Sequence, residues 1–256
     1  MAKLEIHQFP CLSDNYGVLI HDPESNVTAT IDTPEAGPIE AALRDKGWTL
    51  THILNTHHHG DHTGGNTELK AKTGCQIVGP KPEAAKIPGL DVAVGQGDTY
   101  DFGGHIATII ETPGHTLGHI AYHFTDDGVA FVGDTLFALG CGRVFEGTMA
   151  QMWSALQRLM ELPRDTVIYC GHEYTTANAA FAVTIDPDNQ ELMERVEEIA
   201  ALRSEGRPTV PTTLDIELRT NPFLRPADPA VQAHLGMAGA DPGDVFAEIR
   251  RRKDNF

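Results

Sequence analysis

Residues 56–62 read Thr-His-His-His-Gly-Asp-His and place four potential metal ligands within six positions. These ligands are His57, His59, Asp61 and His62. Imidazole nitrogen and carboxylate oxygen are donors that zinc and similar divalent ions accept in proteins. The alternative interpretation is a polar loop that is rich in histidine by chance. If the stretch held only one or two histidines, this interpretation would be the better one. The HxHxDH spacing favours a metal site instead.

The residues on either side of the motif predict how it is presented. Residues 51–55 have the composition of a strand, and the glycine-containing stretch after the motif predicts a loop before a helix at 66–72. Ligands at the end of a strand are held by a rigid sheet, as a preorganised metal site requires. Side chains alternate on extended backbone, so we expect His58 to point to the opposite side from His57 and His59.

Three further candidate ligands follow later predicted strands. They are His115, Asp134 and His172, and a glycine precedes each of them. Glycine allows the backbone to turn sharply where a ligand must point into a cleft. Five histidines and two carboxylates exceed the three or four ligands of one zinc ion, so the set indicates two ions. Asp134 is the candidate bridge, because a carboxylate has two oxygens and an imidazole cannot share its lone pair.

The ligands can be divided between the two ions in more than one way. One division places His57, His59 and His115 on one ion and Asp61, His62 and His172 on the other. It follows from grouping along the chain, and spacing alone leaves other divisions open. We expect His119 to support the ligands or the fold rather than to bind metal. The donor set predicts zinc, and iron and manganese remain possible.

Composition limits the kinds of partner and compartment. The 256 residues include 19 Lys and Arg against 36 Asp and Glu, a net charge of −17, which disfavours nucleic acid and anionic membranes as partners. The first residues lack the apolar stretch of a signal peptide, and no run approaches the length of a membrane span. The four cysteines are scattered and form no CxxC pair. We therefore expect a cytoplasmic protein with reduced thiols.

The order of predicted elements indicates an α+β protein with two domains. Residues 1–172 alternate strands with helices and carry all seven candidate ligands. Residues 173–256 are mostly helical by composition. Two packed sheets flanked by helices are the architecture expected for the first domain.

Several segments resemble one known family. HxHxDH followed in order by His115, Asp134 and His172 resembles the metallo-β-lactamase superfamily of αββα hydrolases. A closer resemblance is to the glyoxalase II, or hydroxyacylglutathione hydrolase, family. The segments that carry it are 11–16, 56–59, 140–142, 145–148, 170–174, 221–223 and 250–256. The resemblance covers nearly the whole chain, including its helical part.

The resemblance implies a fold and a reaction. It implies an αββα sandwich of two mixed β-sheets flanked by helices, with a C-terminal α-helical domain. It also implies hydrolysis of S-(2-hydroxyacyl)glutathione thioesters, such as S-D-lactoylglutathione, to glutathione and D-lactate, the second step of methylglyoxal detoxification. Asp61 and Asp134 would be the catalytic carboxylates, and water activated by two divalent metal ions would attack the thioester carbonyl.

The resemblance further implies a glutathione site formed by the domain at 173–256 together with residues that follow Gly140-Cys141-Gly142. The implied residues are Arg143, Phe145, Tyr174, Arg250 and Lys253. Arg143 and Phe145 stand where the family pattern has lysine and tyrosine. Arginine keeps the charge but has a forked shape, and phenylalanine cannot donate a hydroxyl hydrogen bond. The basic run 250–253 could also be a solvated helix end that favours the helix dipole.

The sequence is also compatible with other functions. A persulfide dioxygenase with a single iron could keep the opening motif, and a lactamase would not need the helical tail. The protein could also be a non-catalytic metal-binding module. A structural zinc site usually includes cysteines, however, and none lies in the cluster. We expect an enzyme that acts on a small molecule as a monomer.

Overall fold

The computed structural model describes residues 3–256, which divide by compactness into two units. The N-terminal unit comprises the chain up to Glu111 and Thr116–Gly133. The C-terminal unit comprises Thr112–His115 and Asp134–Phe256. The predicted domain boundary at residue 172 follows a different criterion, the change from strands to helices, and it stays a prediction.

The N-terminal unit is built from strands, with helices between some of them. Its strands are β1 (Glu5–Cys11), β2 (Asn15–Asp22), β3 (Val27–Ile31), β4 (His52–Leu54), β5 (Gln76–Pro80), β6 (Val92–Val94), β7 (Thr99–Phe102), β8 (His105–Glu111), β9 (Ile120–Phe124) and β10 (Val129–Gly133). Its helices are α1 (Ala36–Lys46), α2 (Gly60–Thr63), α3 (Asn66–Thr73) and the short 3₁₀ helix Lys81–Glu83.

These strands form two sheets. The first has the order β1-β2-β3-β4-β5-β6 and is mixed, because β1 to β3 pair antiparallel and β3 to β6 pair parallel. Parallel neighbours need long crossover connections, and α1 and α3 lie in two of them. In the second sheet, β7 to β10 pair antiparallel in sequence order. The weak alternation of residues 119–125 predicts a strand that pairs with 129–132, and β9 and β10 pair in this way.

A hydrophobic core joins the helices to the first sheet. Ile39 and Leu43 of α1 lie one helical turn apart and pack in a cluster with Ile53 of β4 and Ile77 of β5. Leu69 of α3 belongs to the same cluster. Fully burying such side chains contributes roughly 1.5–3 kcal/mol each relative to exposure. This core fixes β4, and therefore the position of the motif that follows it.

The C-terminal unit is mostly helical. Its helices are α4 (Met149–Met160), α5 (Thr175–Ile185), α6 (Gln190–Ser204), α7 (Leu214–Thr220), α8 (Pro229–His234), α9 (Pro242–Asp254) and the 3₁₀ helix Pro222–Leu224. Its strands are β11 (Leu136–Phe137), β12 (Gly140–Cys141), β13 (Val167–Cys170) and β14 (Thr212–Thr213). The spacing of Met152, Leu156 and Leu159 predicts that they share one apolar helical face, and all three are fully buried in α4.

The start of α4 shows why its sequence is helical there. The side chain of Thr148 accepts a hydrogen bond from Gln151 N–H, and the Gln151 side chain accepts one from Thr148 N–H. This capping box satisfies two backbone donors that the helix itself leaves unbonded. Among residues 3–256, no helix has both the length and the apolar character needed to cross a membrane.

Candidate metal centre

The HxHxDH motif begins beyond the end of β4 and ends in α2. His57 and His62 are buried, and His57 Nε2 lies 3.1 Å from His59 Nδ1. Two imidazole nitrogens at that separation suit a shared small cation, because zinc–nitrogen bonds are about 2.0–2.1 Å long. His62 Nε2 lies 3.5 Å from Asp61 Oδ2, so the last two residues of the motif also direct their donors towards each other. The N-terminal unit thus holds the four motif ligands in two close pairs.

Asp32 and Asn15 support the motif, although the sequence did not single them out. Asp32 Oδ2 lies 2.8 Å from His62 Nδ1 and accepts the Thr56 hydroxyl at the same distance. A carboxylate acceptor keeps the proton on Nδ1 and leaves the Nε2 lone pair of His62 available for a metal. Asn15 Nδ2 donates to Asp61 Oδ2 at 3.2 Å. Asp32 directly follows β3, so the strand-end criterion that found Asp134 could have found it.

Glu83 binds His58, which lies between the predicted ligands His57 and His59. Its carboxylate accepts His58 N–H at 2.9 Å and Gly118 N–H at 2.8 Å, and it lies 2.9 Å from His58 Nδ1. Glu83 is almost completely buried, at 3% exposed. His119, which was predicted to be a supporting residue, is also buried and stacks on His57 with ring centroids 4.7 Å apart. Both side chains restrict the motif without being among its predicted ligands.

The three later candidate ligands meet within the C-terminal unit. Asp134 Oδ2 lies 3.4 Å from His115 Nε2 and 3.3 Å from His172 Nε2, and all three residues are buried. His115 Nδ1 donates to the carbonyl oxygen of Arg143 at 2.9 Å, since a carbonyl can only accept. In neutral His115 the Nε2 atom then carries a lone pair. A nitrogen lone pair and a carboxylate oxygen that face each other repel, and a cation between them would turn this repulsion into attraction.

The donor chemistry of both clusters therefore fits divalent metal ions. Each unit contributes imidazole nitrogens and carboxylate oxygens from buried or half-buried side chains, and Asp32, His57 and His62 bring three such atoms within 4.8 Å of one another. No cysteine takes part in these clusters, which excludes the thiolate-rich pattern of a closed structural zinc site. The chain is thus equipped to bind divalent metal through histidine and aspartate.

Exposed aromatic rings lie against two of the ligands. The Phe145 side chain is 62% exposed, and its ring centroid lies 5.1 Å from that of His115. Tyr174 is 38% exposed and stacks nearly parallel on His172 at 4.6 Å. Large apolar surfaces that face solvent beside a polar cluster are typical of ligand-binding surfaces.

The three predicted cationic residues interact electrostatically. Burial, followed by the charges of Arg250 and Arg143, lowers the pKa of Lys253. Lys253 Nζ donates to Ala177 O at 2.9 Å and lies 5.2 Å from the ring centroid of Phe181. Arg250 is buried, donates from Nη1 to Cys141 O at 2.9 Å, and pairs with Asp254. Arg250 and Lys253 lie three residues apart on α9, and the positive charges of Arg250 and Arg143 both act on Lys253.

Comparisons with known proteins agree along the whole chain. Residues 24–172 match the family model of the metallo-beta-lactamase superfamily, and residues 173–256 match the hydroxyacylglutathione hydrolase C-terminus. The hydroxyacylglutathione hydrolase of Rhizobium meliloti (strain 1021) is 60% identical over 100% of both chains. That of Maricaulis maris (strain MCS10) is 57% identical over 100% of both chains. Among solved structures, ETHE1 from Myxococcus xanthus is 27% identical with a TM-score of 0.69, covering 96% of this chain and 90% of that one.

Proposed function

The chain belongs to the hydroxyacylglutathione hydrolase family of the metallo-β-lactamase superfamily, and from this membership we propose that it hydrolyses S-(2-hydroxyacyl)glutathione thioesters. The predicted αββα fold class is confirmed by the same matches. The proposed substrate is S-D-lactoylglutathione, and the products are glutathione and D-lactate. The match of residues 173–256 favours this hydrolase over the alternative of a persulfide dioxygenase.

One observation carries the proposal within the structure. A single oxygen of Asp134 faces the Nε2 atoms of His115 and His172, whose rings lie against the exposed Phe145 and Tyr174. The proposed metal-binding cluster therefore lies directly beside two exposed aromatic rings. This combination suits a reaction in which a metal acts on one part of a substrate that the protein holds by another.

The proposed metal ligands are the seven residues predicted from the sequence. They are His57, His59, Asp61, His62, His115, Asp134 and His172. We propose that these residues would hold two zinc ions, and the donor chemistry of each cluster and the family of the chain support this assignment. Bound divalent ions would lower the pKa of water and polarise the thioester carbonyl. Asp61 and Asp134 are the proposed catalytic carboxylates, and as anionic ligands they would hold the ions in place for this chemistry.

The chain's own side chains would bind and orient the glutathione part. Glutathione is anionic, so the proposed role of Arg143, Arg250 and Lys253 is to attract it in a chain of net charge −17. Tyr174 can donate a hydroxyl hydrogen bond, whereas Phe145 offers only its ring. Binding energy from this remote part places the thioester for reaction. The leaving thiol has a pKa near 8.5, like free cysteine, so expulsion of the thiolate does not require a strong general acid.

The location and assembly state belong to the same proposal. All four cysteines are buried and unpaired among the described residues, in keeping with a reducing, cytoplasmic compartment. That the chain acts as a monomer stays a prediction.

Kinetics with S-D-lactoylglutathione test the proposal. Lys253→Met keeps a long side chain but removes its charge, and KM should rise about tenfold, equivalent to 1.4 kcal/mol, with kcat little changed. Arg252→Met is the matched control, because Arg252 belongs to the same basic run but pairs with Glu248. The control should leave both constants unchanged. Absence of thioester hydrolysis by the metal-loaded wild type would overturn the proposed function, and an unchanged KM in Lys253→Met would overturn the role of Lys253.

A further inference from the structure

The hairpin of residues 136–143 contains one residue with left-handed backbone geometry, which neighbouring groups must stabilise. β11 and β12 pair antiparallel, with Leu136 opposite Cys141. Leu139, in the turn between them, has φ of 55° and is fully buried. The left-handed region is disfavoured for a side chain such as leucine and persists only where neighbouring groups fix it. We call residues 136–143 the ligand hairpin.

Two buried polar side chains fix the turn of the ligand hairpin. Glu217 Oε2 accepts the Leu139 N–H at 2.8 Å. Asn221 Nδ2 lies 3.1 Å from Phe137 O and 3.0 Å from both Gly140 O and Glu217 Oε2. Glu217 and Asn221 are each 0% exposed. A hydrogen bond lost here would leave a buried group unsatisfied, which is costly, so the pair strongly favours one position of the turn.

Further donors hold Glu217 and the turn in place. Thr212 Oγ1 donates to Glu217 Oε1 at 2.8 Å, and Asn178 Nδ2 donates to Ala138 O at 3.1 Å. Burial raises the pKa of Glu217, and the hydrogen bonds from Thr212, Leu139 N–H and Asn221 oppose that rise. The turn is therefore anchored from β14, α5 and the end of α7.

The other end of the ligand hairpin contacts two proposed metal ligands. The Arg143 carbonyl accepts the His115 Nδ1–H at 2.9 Å. Gly142 N–H donates to Thr135 O at 3.2 Å, and a Cβ at Gly142 would collide with the carbonyl oxygen of Asp134. The backbone of the hairpin at Gly142 therefore packs so closely on Asp134 that no side chain can be accommodated there. A displacement of the turn would move the carbonyl that orients His115.

We propose that Asn221 is a positioning residue of the metal centre, which fixes the ligand hairpin so that the Arg143 carbonyl holds the His115 proton on Nδ1. His115 then presents Nε2 to the metal. The proposal rests on the role of His115 as a ligand in the proposed function. The proposal assigns a role to Asn221 of the segment Asn221-Pro222-Phe223. Asn221 also caps the 3₁₀ helix that follows it, because its side-chain oxygen accepts Phe223 N–H at 3.0 Å.

A matched asparagine provides the control. Asn189 also caps a helix, by accepting Leu192 N–H, and its Nδ2 also donates to a carboxylate, Asp186, and to a carbonyl, Arg219 O. The hydrogen bonds of Asn189 do not reach the ligand hairpin. Asn221→Ala and Asn189→Ala therefore remove similar bonds from the same unit, and only the first releases the hairpin.

The experiment uses the full-length, zinc-loaded protein. Zinc affinity is measured by competition with a chelator, and the His115 Nδ1–H proton is observed by NMR. Asn221→Ala should weaken binding of one zinc ion about 10- to 100-fold, as expected when a group that orients a ligand is lost. In this variant the His115 Nδ1–H should exchange with water faster than it does in the wild type. Asn189→Ala should retain the wild-type affinity and a slowly exchanging Nδ1–H.

Two results would overturn the proposal. One is equal zinc affinity and Nδ1–H exchange in the two variants, whatever their loss of thermal stability. The other needs only the wild type, in case Asn221→Ala does not fold: His115 bound to zinc through Nδ1, with its proton on Nε2. Both readouts are independent of substrate, so a failure of S-D-lactoylglutathione hydrolysis would count against the proposed function alone.

Discussion

At the scale of single residues, the histidines of the motif depend on carboxylates that set their tautomers. Asp32 lies 2.8 Å from His62 Nδ1 and receives both the backbone N–H and the hydroxyl of Thr56 at 2.8 Å. The position of Asp32 right after β3 could be inferred from the sequence. Its partner could not, because His62 lies thirty residues further along the chain and no local pattern connects them.

Asp32→Asn should weaken metal binding while preserving the shape of the side chain. The amide nitrogen would donate to His62 Nδ1 and move the ring proton to Nε2, the atom proposed to bind metal. A 10- to 100-fold loss of zinc affinity is expected in a chelator competition assay. Asp127→Asn is the control, because Asp127 lies 2.8 Å from His105 Nδ1 outside the motif and should affect stability only. Equal zinc affinity in both variants would refute the role of Asp32.

Asp22 should make stability depend on acid pH. Burial alone would raise the pKa of Asp22, but hydrogen bonds from Ser25 and Glu24 and the nearby His105 outweigh it and lower the pKa to about 2. A carboxyl group with a lowered folded-state pKa stabilises the fold above its unfolded pKa of roughly 3.9, and this contribution disappears as the pH falls towards 2. The contribution is about 1 kcal/mol after allowance for solvent screening.

Urea unfolding of the wild type and Asp22→Asn between pH 2 and 7 tests this dependence. The wild type should be more stable above pH 4, and the difference should vanish near pH 2. A difference that stays constant over the whole range would show that Asp22 is not the titrating group.

At the scale of secondary-structure elements, the sequence predicted long strands and helices better than short ones. The β-branched run of residues 105–111 predicts a strand with the bounds of β8, and the spacing of apolar residues predicts the buried face of α4. Strands β11, β12 and β14 were missed, because two residues are too few for an alternating pattern. The ligand hairpin is formed by two of them, so its support by Asn221, more than eighty residues away, could not be predicted.

The 3₁₀ helix Lys81–Glu83 links the metal motif to the segment that contains His119. Glu83→Gln should destabilise this link, because the glutamine oxygen can accept from His58 N–H or Gly118 N–H while its amide group faces the other donor. A buried donor without an acceptor costs about 1–3 kcal/mol. The thermal midpoint should therefore fall by roughly 2–10 °C.

A calorimetric comparison with Glu35→Gln checks this expectation. Glu35 accepts a single exposed hydrogen bond from Leu12 N–H, so its replacement should shift the midpoint by less than about 1–2 °C. An equally small shift in Glu83→Gln would mean that Glu83 does not hold the two segments.

At the scale of the whole molecule, the sequence identified the family and the metal-binding chemistry through motifs spread over the chain. Each of the seven predicted ligands has a nitrogen or oxygen atom within 3.5 Å of one from another predicted ligand of the same unit. Two of the predicted cationic residues, Arg250 and Lys253, lie three residues apart on α9. Residues such as Asp32, Glu83 and Asn221 escaped prediction because they act through partners distant in sequence.

Metal removal and return tests the central claim, that this chain is a two-metal thioester hydrolase. The protein is stripped with a chelator, zinc is returned in known amounts, and S-D-lactoylglutathione hydrolysis is measured at each step. The stripped protein should be inactive, and activity should reach its maximum at two zinc ions per chain. Full activity in the stripped protein, or a maximum reached at one ion per chain, would contradict the account.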